Sequence, residues 1–186
     1  IAGAASRPPV ADLMICPPAT LIASFAKAAA GSAIAIGAQD CHAEVSGAFT
    51  GDLSADMLKD AGATAVIVGH SERRQFYGET NESVNRKTKA ALAAGLTAIV
   101  CVGEHLSERE GGNAESVVNA QLTAGLNGLT VRDLERIIIA YEPVGAMGTG
   151  KAATPEQAQE MHGFIRRVLS EAHGADAANS IRILYG

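Results

Sequence analysis

The sequence contains no tryptophan, and its aromatic residues make up only 4% of 186 positions. Rings therefore cannot fill a core. The 47% of apolar residues must do so with small and β-branched side chains, which suits tightly packed α/β layers. Positive charge is also scarce: 15 Lys and Arg against 20 Asp and Glu give a net charge of −5, and no basic cluster stands out. That excludes a nucleic-acid surface and leaves room only for a small anionic ligand held locally. The three cysteines, Cys16, Cys41 and Cys101, form no CxxC pair and are odd in number. They fit neither a disulfide framework nor a zinc site and are expected to be small core residues. No apolar run reaches the ~20 residues of a membrane-spanning helix, and no signal pattern opens the chain, so a soluble cytoplasmic protein is expected. The first residue is Ile rather than Met, and the stretch is expected to be a portion of something longer.

What is present is a regular alternation. Apolar runs at Asp12 to Cys16, Ala33 to Gly37, Ala63 to Gly69, Leu96 to Gly103, Arg136 to Tyr141 and Ile181 to Tyr185 read as strands. Between them, helical spacing appears in Ala19 to Ala30, from Leu53 to Ala61, from about Glu82 to Ala94, in a segment reaching Leu126, and from Thr154 to His173. Thr154-Pro155-Glu156 places an N-cap threonine before a proline at the first helical position. The central strands are continuous apolar runs rather than alternating ones, the mark of a parallel sheet covered by helices. Right-handed crossovers then leave an open doubly wound sheet or a closed barrel. Polar residues gather after several different strands, which is how a barrel distributes its chemistry. The connection Ala38 to Gly51 lacks periodicity and is long, as functional or self-packed loops are.

The most chemical stretch is AYEPVGAMGTGK, Ala140 to Lys151. An apolar strand carries Glu142 to its end, Pro143 cannot continue the ladder, and the glycines let backbone N–H groups approach a ligand without side chains between. A carboxylate beside such a loop suits proton transfer next to a bound anion; an ordinary solvated Glu before a turn is the competing reading. The run VGHSERRQ puts His70 just before a helix start, where a structural cap is the plain reading.

CPPATL (16 to 21), GAQDCHAEVSGAFTGDLSADML (37 to 58), VGHSERRQ (68 to 75), CVGE (101 to 104), AYEPVGAMGTG (140 to 150) and RILYG (182 to 186) together resemble triosephosphate isomerase through nearly the whole chain. That family is itself a standard example of tuned acid–base chemistry and loop closure. The resemblance implies a parallel (β/α) TIM barrel as one partial domain over residues 1 to 186, holding strands two to seven of eight. It implies a glycolytic isomerase interconverting dihydroxyacetone phosphate and D-glyceraldehyde 3-phosphate, with no cofactor and no metal. By the same resemblance Glu142 is the base, His70 the electrophile, and Gly148 a backbone donor to the phosphate. Ser71, Glu72 and Cys101 are supporting residues, and Tyr185 latches the loop near Ala153. Thr50, at the tip of the 38 to 51 loop, is expected at the interface of a homodimer or higher homo-oligomer.

Departures from the family's pattern carry expectations too. Its first strand, with Asn-x-Lys, would precede Ile1, and its eighth would follow Gly186, so six strands would leave two bare edges. A truncated, catalytically inactive barrel with a structural or interaction role is the alternative. Gly145 stands where the family's loop usually has Trp, and Met147 where it has Ile; glycine widens the open-loop ensemble and makes closure costlier.

Overall fold

The computed structural model describes residues 11–143 and 153–186. The chain divides into two compact units, Ile1–Val68 with Arg86–Ala98, and Gly69–Asn85 with Ile99–Gly186.

In the first unit, β1 (Leu13–Ile15), β2 (Ile34–Ala38) and β3 (Ala65–Val68) lie side by side in chain order. Both pairings are parallel, with Leu13 opposite Ile34 and Gly37 opposite Ala65. Parallel neighbours need a crossover, and α1 (Ile22–Ala29) and α2 (Ala55–Asp60) supply the two. Helix α1 is entered through a 3₁₀ turn, Ala19–Leu21, where the sequence reads as one helix. Ser54 caps α2 by accepting the Met57 N–H at 3.2 Å. Ala65, Val66 and Val68 are fully buried, so β3 is apolar on both faces as its composition requires. The long connection after β2 is pinned at its base, with Lys87 Nζ 2.8 Å from Asp40 and the His42 N–H donating to the Leu53 carbonyl. Its tip, including Val45, Phe49 and Thr50, is exposed.

In the second unit, β4 (Thr97–Val102, its last four residues here), β5 (Ile137–Tyr141) and β6 (Arg182–Tyr185) follow in the same sequential order, and β5 and β6 pair in parallel. The helices are α3 (Ser71–Tyr77), α4 (Asn81–Ala93, shared with the first unit), α5 (Leu106–Glu110), α6 (Ala114–Gly125), α7 (Val131–Leu134), α8 (Pro155–His173) and α9 (Ala175–Ser180). Helix α8 starts where Thr154 and Gln157 cap one another, each side chain bonded to the other's N–H at 3.2 and 3.0 Å. It buries Met161, Ile165 and Leu169, four residues apart on one stripe, each contributing about 1.5–3 kcal/mol. Three short helices, α5, α7 and α9, lie in stretches that read as connections. They are held by local polar bonds such as the Thr130–Asp133 capping box rather than by an apolar stripe, so periodicity does not reveal them. Cys41 and Cys101 are core residues, but Cys16, next to the short strand β1, is only part-buried. Among the described residues no helix is long and apolar enough to cross a membrane.

Candidate active site

The site lies wholly in the second unit, where the end of β5 meets the start of α3. Strand β5 ends at Tyr141, and the Glu142 N–H still donates to the Val102 carbonyl at 2.8 Å before Pro143 stops the ladder. The backbone is thus strand-held at the residue that carries the carboxylate. Its side chain is 10% exposed. The Ser71 hydroxyl donates to Oε1 at 2.8 Å and the Ser71 N–H to Oε2 at 3.3 Å, so both oxygens are engaged by one residue at the first turn of α3. His70 Nε2 stands 3.2 Å from the same Oε1.

His70 caps α3 and faces Glu142 at the same time. Its Nδ1 accepts the Glu72 N–H at 3.3 Å, capping α3. A ring nitrogen that accepts carries no proton, so the neutral imidazole bears its N–H on Nε2, the atom aimed at Glu142. Just before His70, Gly69 has φ +70°, and a Cβ there would meet the methyls of Val84, so only glycine makes this turn from strand to helix.

The supporting residues separate. Cys101 is buried at the end of β4 and lines a cavity of about 20 Å³ beside Glu142, with Ser71, Arg74, Gly103, His105 and Gln121. Glu72 is exposed, its carboxylate 3.7 Å from His70 Nδ1. Tyr185 is 44% exposed, its ring edge-on to Tyr141 at 6.2 Å between centroids. Thr50 belongs to the first unit and takes no part here. Gly148, Gly145 and Met147 lie outside the described residues. Among the described residues no group of His, Cys, Asp and Glu is arranged to hold a metal ion.

Several site residues were not singled out in the sequence. Arg74 lies beneath the cluster, donating to the Gly69 carbonyl at 2.8 Å, to Asn81 Oδ1 at 2.7 Å and to the Cys101 carbonyl at 3.3 Å. Burial pulls its guanidinium below the ordinary arginine range, against the opposing pull of Cys101, Glu79 and Glu142. On the other face of β5, Tyr141 is fully buried. Its hydroxyl donates to Glu104 Oε1 at 2.9 Å and accepts from Arg109 Nη2 at 2.9 Å, while Arg109 Nε donates to the same Glu104 oxygen at 2.7 Å. Burial first, and then the Glu104 charge, push the Tyr141 phenol well above its usual value. Glu104 and Tyr141 sit inside the motifs CVGE and AYEP, so adjacency to a motif was their one signal. Gln121, in the middle of a helix, had none.

The triosephosphate isomerase family model matches residues 1–186. The triosephosphate isomerase of Geobacter metallireducens is 53% identical over 175 residues, 94% of this chain and 70% of that protein. That of Bradyrhizobium diazoefficiens is 50% identical over 185 residues, 99% of this chain and 72% of that protein. The crystal structure of triosephosphate isomerase from Bartonella henselae superposes with a TM-score of 0.84 at 45% identity, covering 93% of this chain and 69% of that one. Six parallel strands with helical crossovers are therefore an incomplete (β/α) barrel, and the chain belongs to the triosephosphate isomerase family.

Proposed function

We propose that Glu142 is the base of a triose phosphate isomerase, moving a proton between adjacent carbons to interconvert dihydroxyacetone phosphate and D-glyceraldehyde 3-phosphate through an enediolate. The observation that carries this reading is the buried Glu142 carboxylate 3.2 Å from the Nε2 of a histidine whose Nδ1 caps a helix. A carboxylate can take the carbon-bound proton, while a neutral Nε2–H donates to the carbonyl oxygen on which negative charge builds. In the free site the two groups face each other, so substrate enters by separating them and taking one contact from each. Ser71 holds the carboxylate through both of its oxygens. The carboxylate returns the proton to the neighbouring carbon while the hydroxyl proton of the enediolate passes, by way of His70, to the former carbonyl oxygen, which leaves the enzyme unchanged.

In this reading Gly148 supplies an N–H to the phosphate and Tyr185 latches the loop that follows Glu142. Glu72 and Cys101 support the site without touching the reacting atoms. Both units belong to one partial barrel domain, and the protein works in the cytoplasm. The exposed tip bearing Thr50, with Val45 70% and Phe49 41% exposed, supports a homodimer or higher homo-oligomer built through that loop. The test is Glu142→Gln, which keeps the shape and removes the base. Turnover is expected to fall about 10²- to 10⁴-fold with an unchanged circular dichroism spectrum. Wild-type turnover in that variant would sink the assignment.

A further inference from the structure

Gln121 lies on α6, outside the His70–Ser71–Glu142 cluster, and commits both polar atoms of its side chain to one residue. Its Oε1 accepts the Gly103 N–H at 2.8 Å, and its Nε2 donates to the Gly103 carbonyl at 3.1 Å. Strand β4 ends one residue earlier, at Val102. The amide therefore acts as a substitute strand partner that carries the ladder pattern one residue further. That residue is a glycine for a reason that points at the site. A Cβ on Gly103 would fall far inside contact distance of the Glu142 carbonyl oxygen, so the backbones at the ends of β4 and β5 touch there. Glu142 is also bonded to Val102, immediately before Gly103. The backbone that carries the carboxylate thus rests on a platform whose far side is fixed by Gln121.

We propose that Gln121 is a positioning residue for Glu142: its two-point clamp on Gly103 fixes the backbone from which the carboxylate acts. This role rests on the assignment of Glu142 as the base. A base displaced by about 1 Å can lose on the order of 10²-fold in rate while substrate binding, set elsewhere, persists. A purely structural glutamine would instead lower stability and leave turnover alone.

The test uses the full chain with Gln121→Leu and Gln121→Glu. Leucine keeps the volume and removes both bonds, and its kcat is expected to fall about tenfold or more with KM within about twofold. Glutamate is the sharper probe. Protonated, it presents one acceptor and one donor as the amide does; ionised, it sets an anionic oxygen against the Gly103 carbonyl. Its kcat relative to wild type is expected to rise about fivefold or more between pH 8 and pH 5.5, a dependence that a structural role does not produce. Amide hydrogen exchange gives a readout free of turnover. In the leucine variant Gly103 and Glu142 should exchange about tenfold faster, while Ile139 in the middle of β5 is unchanged. Wild-type kcat in both variants, or a flat pH ratio for Gln121→Glu, overturns the proposal. If Glu142→Gln keeps turnover, the base assignment fails on its own measurement, separately from the Gln121 results.

Discussion

Ser71 engages both oxygens of Glu142, through its hydroxyl at 2.8 Å and its backbone N–H at 3.3 Å. Only the first bond depends on the side chain. Ser71→Ala should therefore destabilise the fold by about 1.5–3 kcal/mol, the range for a hydrogen bond to a charged group that is left buried. In a double-mutant cycle with Glu142→Gln, read by urea denaturation, the two changes should couple by at least ~0.5 kcal/mol. Strict additivity would mean that the hydroxyl does not hold the carboxylate.

Arg109 and Tyr141 both act on one oxygen of Glu104, a residue only 1% exposed. Removing the cation strands a buried carboxylate, which costs about 3–5 kcal/mol for a fully buried pair. The Arg109 side chain is 30% exposed, so water screens part of that attraction. Arg109→Ala should cost about 3 kcal/mol, the low end of that range. Glu104→Gln made in the same chain should recover part of the loss, because a neutral amide needs no counter-charge. Chemical denaturation of both variants checks this, and no recovery would place the cost in lost packing of the arginine stem instead.

Gly103→Ala should be among the most damaging single changes in the second unit. The added methyl would meet the Glu142 carbonyl, a backbone atom that cannot rotate away. A clash of this kind belongs to the class costing about 4 kcal/mol or more, and any protein that folds must do so with the end of β5 displaced. Turnover per folded molecule, measured alongside thermal unfolding, is expected to drop with stability. A variant that kept both would mean that the strand ends have slack.

Much of this was legible in the sequence because the strands are short apolar runs punctuated by Gly and Pro, and because α8 announces itself through Thr154 and Pro155. Glu142, His70 and Ser71 were legible as motif residues, and the structure brings these three together. The Glu104–Arg109–Tyr141 network was not, since the Tyr141 and Glu104 partners lie 37 residues apart in sequence and meet only when β4 and β5 run side by side. Nor was the clamp of Gln121 on Gly103, which depends on where one turn of α6 passes the end of a strand. Such contacts are products of crossover geometry, and no local pattern encodes them. The helices α5, α7 and α9 escaped for a simpler reason: at four to six residues they are too short to show a period.

His162, on α8 beside Tyr141 with ring centroids 6.0 Å apart, should shape the pH dependence of stability. Among the described residues its Nε2 is buried without a hydrogen-bond partner. Burial first, and then the nearby Arg166 charge, hold its folded pKa below the ordinary value of 6.5. The sign follows from proton uptake. Between the folded and unfolded pKa the unfolded chain binds more protons, so stability rises with pH across that interval. The contribution is complete above the unfolded value and is lost as pH falls from there through the folded one. His162→Phe keeps a ring against Tyr141 and removes the titration. Denaturation midpoints should therefore fall more steeply for wild type than for His162→Phe between about pH 7 and pH 5, with the two curves parallel above that interval. Parallel curves throughout would show that His162 takes up its proton equally well in the folded chain, and that the unpartnered nitrogen finds water.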